Sequence, residues 1–469
     1  MINSQAGRKE RELEFRKLKA MMAAAGVTQL YFKILAPNDN SKNQPYLGSD
    51  LSALNIFPTG ELVASDSISG KTSLKPGRKK FTVPINFSWM DAEGYIAPAP
   101  GAQLILYPQY PEVRFSGFLR QCEKAPYELM DPNKRGRDNG RVLFMGVTKA
   151  RTVIGYLASP ESAVAKGVAG LKHVERHGLF GKIELHATAT KTDSRIVLLS
   201  ELSRIHKLGW IKGRRLQAGQ PPVDCNNPNC GGYTLEAELG VLPSGAAEPD
   251  FLGWEIKQYG VSSFDSAGSR PITLMTPEPD GGFYSDSGVK AFIRKFGYAD
   301  KVGRVDRYNF GGIHKYGERH STTGLTLTLL GYDAEKNKII DPSAGLALVS
   351  DKGQQAAVWH YSKLIDHWKR KHAQAVYVPS LSKVTAVREY HYGKIVRLGV
   401  GTDFFRFLGA IAGQRIYYDP GIKLENASSK NPKTKRRSQF RVRSGQLDAL
   451  YDSMDAVDVT QIAKGGRLV

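Results

Sequence analysis

Cysteine is scarce: three residues in a chain of 469 cannot build a disulfide framework, which fits a reducing compartment. Long apolar runs are missing too. No stretch approaches the roughly 20 apolar residues of a membrane helix, and the amino terminus, MINSQAGRKERELEF, lacks the apolar segment of a signal peptide. A cytoplasmic protein with no membrane partner is expected. Acidic residues are in deficit, 45 Asp plus Glu against 66 Lys plus Arg, and the formal net charge is +21. That balance favours a polyanionic partner, nucleic acid before an anionic membrane surface, over an acidic small molecule. No internal repeat is present.

Two of the cysteines, Cys225 and Cys230, lie in CNNPNC. Their spacing suits half of a zinc site, but the other ligand pair is missing, since Cys122 is remote and His206 would have to fold back alone. The simpler expectation is a turn carrying free thiols.

At this length two or three domains are the default. Residues 7 to 25 suggest a basic helix ending at Gly26. The runs TQLYFKIL, KKFTVPINFSWM and AQLILYPQ, separated by Gly, Pro, Asn and Ser clusters, predict a strand-rich front domain over residues 1–188. Its basic stretches KPGRKK and NKRGRDNGR suit a solvated face or a second nucleic-acid contact equally. The polar stretch HATATKTDS marks the boundary because it precedes a capped helix. In the following residues Ile196, Leu199, Leu202 and Ile205 form one apolar stripe, closed by Gly209. Further on, LTLTLLGYD and KIIDPSAGLALVS predict a hairpin, VWHYSKLIDHWKRKHAQ a helix, and AVYVP and KVTAVREYHY strands. Residues 189–469 are therefore expected to be α/β or α+β.

The chemistry concentrates at GYTLEAELGVLPSGAAEPDFLGWEIKQYG, residues 232 to 260. In the alternation Trp254, Glu255, Ile256, Lys257, the two charged residues share one face of a strand and the two apolar residues the other. Gly253 permits a tight turn that brings Asp250 opposite Glu255. Two carboxylates with the Ile256 carbonyl are hard oxygen ligands suited to Mg²⁺, and Lys257 beside them can orient a water or offset charge on a phosphate. Such a pattern by itself is common and mostly marks surface salt pairs. Glu236 and Glu238, on the preceding helix, stand about 200° apart, so one at most joins the set.

The segments LGWIKGRR, GYTLE, PD…ExK, ITLMTPEPDGG and TKRRSQFRV…LDALY, in that order, resemble the MvaI/BcnI group of restriction endonucleases and, more distantly, the mismatch-repair nickase MutH. The resemblance spans roughly residues 190 to 455. It implies a PD-(D/E)xK restriction-endonuclease-like core with a separate strand-rich amino-terminal domain, in a prokaryotic protein. It also implies Asp250 and Glu255 as ligands of Mg²⁺, for which Mn²⁺ can substitute, Lys257 as catalytic lysine, and Glu236 as the helix carboxylate matching that of MutH. The activity implied is endonucleolytic cleavage of duplex DNA in restriction or phage defence. The alternatives are a nickase or effector whose front domain senses a partner or modified base, and a catalytically silent DNA-binding protein. The relatives lack the front domain and carry a shorter loop where this chain has DCNNPNCG.

Members of this group bind DNA as monomers between a catalytic lobe, here about 189–300, and a recognition lobe, about 301–469. In the latter, Arg304, Arg307, His314 and Arg319 alternate with aromatics, and Lys435, Arg436, Arg437 and Arg441 lie in a basic run. Most are expected to meet phosphates. Arg437 or Arg441 is the candidate guanine reader, since arginine can grip O6 and N7 together.

Overall fold

The computed structural model describes residues 12–37, 44–48, 56–66, 79–108, 112–172, 174–185, 194–242, 250–371 and 374–461. The chain divides into two compact units, residues 1–190 and 191–469. The boundary expected near residue 188 lies outside the described residues, as does the start of the first expected helix.

Unit 1 is strand-rich. The helix Phe15–Ala24 buries Leu18 and Met22, one turn apart, and Gly26 ends it at φ +82°, a conformation glycine adopts without steric cost. A seven-stranded sheet is centred on Val27–Leu35, Arg141–Thr148 and Val153–Ala158, and a five-stranded sheet on Gln103–Tyr107 and Glu112–Ser116. The two strands Arg141–Thr148 and Val153–Ala158 are almost wholly buried. Leu30, Phe32, Val142, Phe144 and Ile154 close the core over the helix.

Unit 2 is α/β. Its six-stranded sheet contains Arg388–Tyr392, Gln374–Val384, Ile395–Val400 and Ser453–Asp458, and Glu255–Gly260 runs parallel to Gln374–Val384 in register Glu255 with Ala375 through Gly260 with Ser380. The helix Ser194–Lys207 brings Leu198, Leu199, Leu202 and Ile205 onto Trp254, Ile256, Val376 and Val378. The expected hairpin forms, with Leu325–Leu329 paired to Gly345–Ser350.

Two expectations are corrected. The segment from Val358 is not helical throughout: Gln355–His360 is a strand, and the helix is Tyr361–Lys371. Ala356, Ala357, Val358 and Trp359 are all buried, so this fully covered strand shows no alternation for sequence reading to detect. Cys225 and Cys230 are not free thiols but a disulfide. The turn between them brings their Cα atoms to 5.7 Å, within bridging range. Among the described residues no three His, Cys, Asp or Glu side chains cluster as a metal cage, and no helix is long and apolar enough to cross a membrane.

Candidate active site

Asp250 and Glu255 flank a two-residue turn. Phe251 and Trp254 exchange both backbone hydrogen bonds, at 3.0 and 2.8 Å, and Leu252 and Gly253 between them have φ +48° and +89°. Positive φ at both turn positions is the hairpin geometry that matches strand twist. Gly253 accepts it freely, whereas Leu252, 56% exposed, does so against its Cβ. The turn folds Asp250 back so that its Oδ2 accepts the Ile256 N–H at 2.8 Å.

Trp254 and Ile256 enter the core under the helices, and Glu255 and Lys257 take the other face. Glu255 is 2% exposed, and Lys257 Nζ donates to its Oε1 at 2.6 Å. Beside them the Tyr377 and Tyr451 hydroxyls share a 2.8 Å hydrogen bond. Burial pushes both phenols up, and the Glu255 charge adds to the effect. The structure thus brings Asp250, Glu255, Ile256 and Lys257 together. Glu236 belongs to the helix Cys230–Glu238, which packs against the strand from the opposite side, where a Cβ on Gly231 would meet Gln258 Oε1 at 2.8 Å. Glu238 on that helix is held by Arg214 and lies 3.8 Å from Arg204.

Arg304, Lys435, Arg436 and Arg437 are exposed, Lys435 with Nζ 3.4 Å from Glu425. Lys423, half-buried on the strand Gly421–Glu425, sits between Asn309 and Lys435 on the neighbouring strands. Partial burial lowers its pKa first, and the charges of Arg307, Arg304, Arg437 and Lys435 lower it further, so these cations converge.

Four of the expected DNA contacts have partners within unit 2. His314 is fully buried, stacked on Phe310 and His320, and desolvation followed by the His320 charge pushes its pKa down to about 3. A buried neutral imidazole with its ring nitrogens on Gly312 O and Thr323 Oγ1 has no group left for a duplex. Arg307, 8% exposed, donates to Asn309 Oδ1 at 3.1 Å and lies 3.5 Å from Asp300. Arg441 is partly buried, with Nη1 on Asp419 at 2.6 Å. Arg319 is exposed and held by Asp351 at 2.8 Å.

Residues 199–451 match the MvaI/BcnI restriction endonuclease family, a span covering more than half of the chain and the whole hairpin. The chain belongs to that family. Among solved structures, the restriction endonuclease MvaI in complex with cognate DNA is 16% identical, covering 57% of this chain and 99% of its own, at a TM-score of 0.43. MvaI without DNA is 15% identical, covering 58% and 100%, at 0.33. No curated protein matches. In this MvaI/BcnI-type chain, sequence reasoning missed Lys423, because a lone lysine in GIKLE shows its neighbours only once three strands pair. It also missed Tyr377 and Tyr451, which are far apart in sequence.

One stability effect follows from the turn. Leu252→Asn should stabilise unit 2 by up to about 1 kcal/mol, because asparagine tolerates the left-handed conformation better than leucine. Denaturant unfolding of the two proteins measures it.

Proposed function

We propose that this MvaI/BcnI-type protein is a Mg²⁺-dependent endonuclease that hydrolyses phosphodiester bonds of duplex DNA at Asp250, Glu255 and Lys257, in sequence-specific restriction or phage defence. The observation that carries the reading is the hairpin itself. It converges two carboxylates, a backbone carbonyl and an ammonium on one edge strand, with one carboxylate almost fully buried.

The donor set consists of hard oxygens only, which fits Mg²⁺ or Mn²⁺. Asp250, Glu255 and the Ile256 carbonyl would hold the ion, which when bound supplies a Lewis acid and a more acidic water. Asp250 keeps one oxygen on the Ile256 N–H and has the other to offer. Lys257 offsets the Glu255 charge at rest and can orient the attacking water or hold charge on the phosphate. Glu236 stands on a helix that packs on the Trp254 and Ile256 face of this strand, so its place in the set rests on the MutH resemblance alone. Arg304, Lys423, Lys435, Arg436 and Arg437 form the phosphate-binding surface, and exposed Arg437, which lies over Gly421, remains the candidate guanine reader. The units 1–188 and 189–469 act as regulatory and nuclease domains in this reading.

Plasmid DNA incubated with the protein and Mg²⁺, with and without cytosine methylation, tests it. Discrete linear fragments are expected in Mg²⁺ and none in EDTA. Nicked circles alone would favour a MutH-like nickase, and intact plasmid with retained binding would leave a silent DNA-binding protein.

A further inference from the structure

Unit 1 contains a cavity of about 240 Å³ lined by Lys33, Tyr46, Met130 and Arg141 together with Pro37 and Pro45. Both cations come from adjacent antiparallel strands. Arg141 stands opposite Leu35, so Lys33, two residues earlier on the same face, is its diagonal neighbour.

Arg141 is 1% exposed, yet its hydrogen bonds go only to neutral acceptors. Nε donates to Asp138 O at 2.8 Å, and Nη1 donates to Leu129 O at 2.6 Å and Met130 Sδ at 3.6 Å. The Asp138 carboxylate is engaged by Arg135 at 2.8 Å. Among the described residues Nη2 makes no hydrogen bond. Lys33 has the Tyr46 ring, 5.5 Å from Nζ, and no carboxylate among the described residues. Burial lowers the pKa of both side chains. A buried guanidinium beside a half-buried ammonium, with no acid among the described residues lining the cavity, is unfavourable unless an anion joins them.

We propose that this cavity is an oxyanion site whose ligand is a phosphate group, held by Arg141 Nη2 and Lys33 Nζ. A tetrahedral anionic group with several acceptor oxygens matches two separate cationic donors converging from neighbouring strands, and arginine supplies directed N–H groups to it. The cavity exceeds what one water needs and has room for several heavy atoms. The phosphate can come from a nucleic-acid backbone or from solution.

The test is phosphate binding by the full-length protein without Mg²⁺, followed by ³¹P NMR and titration calorimetry at constant ionic strength set with chloride. Wild type is expected to bind inorganic phosphate saturably, and Lys33→Met to weaken that binding at least tenfold at an unchanged circular dichroism spectrum. Arg141→Lys, which keeps the charge but not the fork, should weaken it as well and serves if Lys33→Met does not fold. A short duplex that displaces phosphate from wild type would identify the DNA backbone as the source, and failure to displace it would identify free phosphate. Absence of saturable binding, or equal affinity in wild type and both variants, would overturn the proposal.

Discussion

Asp250→Asn is expected to abolish cleavage while leaving the protein folded and bound to duplex DNA. The asparagine Oδ1 can still accept the Ile256 N–H that Asp250 Oδ2 accepts at 2.8 Å, so the hairpin survives and only the charge is lost. A ligand present at 100 times its Kd stabilises the folded state by about 2.7 kcal/mol. Wild type should therefore show a Mg²⁺-dependent rise in Tm that the variant lacks. Loss of several kcal/mol of metal-derived stabilisation corresponds to at least about a thousandfold in rate. Lys257→Ala should differ. It removes the 2.6 Å ammonium partner of Glu255, a carboxylate with 2% exposure. Breaking a buried pair this way costs up to about 3 kcal/mol, somewhat less here because Lys257 is 19% exposed. Cleavage should be lost, and Mg²⁺ should restore part of the lost stability. If Asp250→Asn still cuts DNA in Mg²⁺, the hairpin is not the catalytic centre.

Neutralising Lys423, Lys435 and Arg437 together should flatten the dependence of log affinity on log salt by about 2 to 3 units, since each neutralised phosphate contributes a slope of about −0.9. The effect should be large at low salt and small at high salt. The convergence of these side chains on Lys423 is the reason to choose them, whereas buried His314 is the matched control. Binding to a fluorescent duplex between 50 and 200 mM salt measures the slope. An unchanged slope would move the DNA surface elsewhere on the chain.

The parts legible in the sequence are those governed by short-range periodicity. Trp254, Glu255, Ile256 and Lys257 alternate, and the structure places the apolar pair in the core and the charged pair together on the other face. The turn at Gly253 and the helix Ser194–Lys207 were readable for the same reason. The strand Gln355–His360 was not, because burial on both faces leaves no alternation. The partners of His314, Arg307 and Arg441 inside the fold were not readable either, because a cation in a basic, aromatic-rich segment is ambiguous until its neighbours are known.

The sequence by itself determined the composition of the candidate site: two carboxylates and a lysine, spaced so that one tight turn and one strand suffice to gather them. It also determined the positive charge and the family. Tertiary structure alone decided which charges are available. Strand pairing places Lys423 between Asn309 and Lys435, Asp419 and Asp300 take up Arg441 and Arg307, and a turn closes Cys225 onto Cys230. The physical reason is range. Alternation and turn preference act over a few residues, whereas desolvation and ion pairing depend on groups that only the folded sheets bring within a few ångströms.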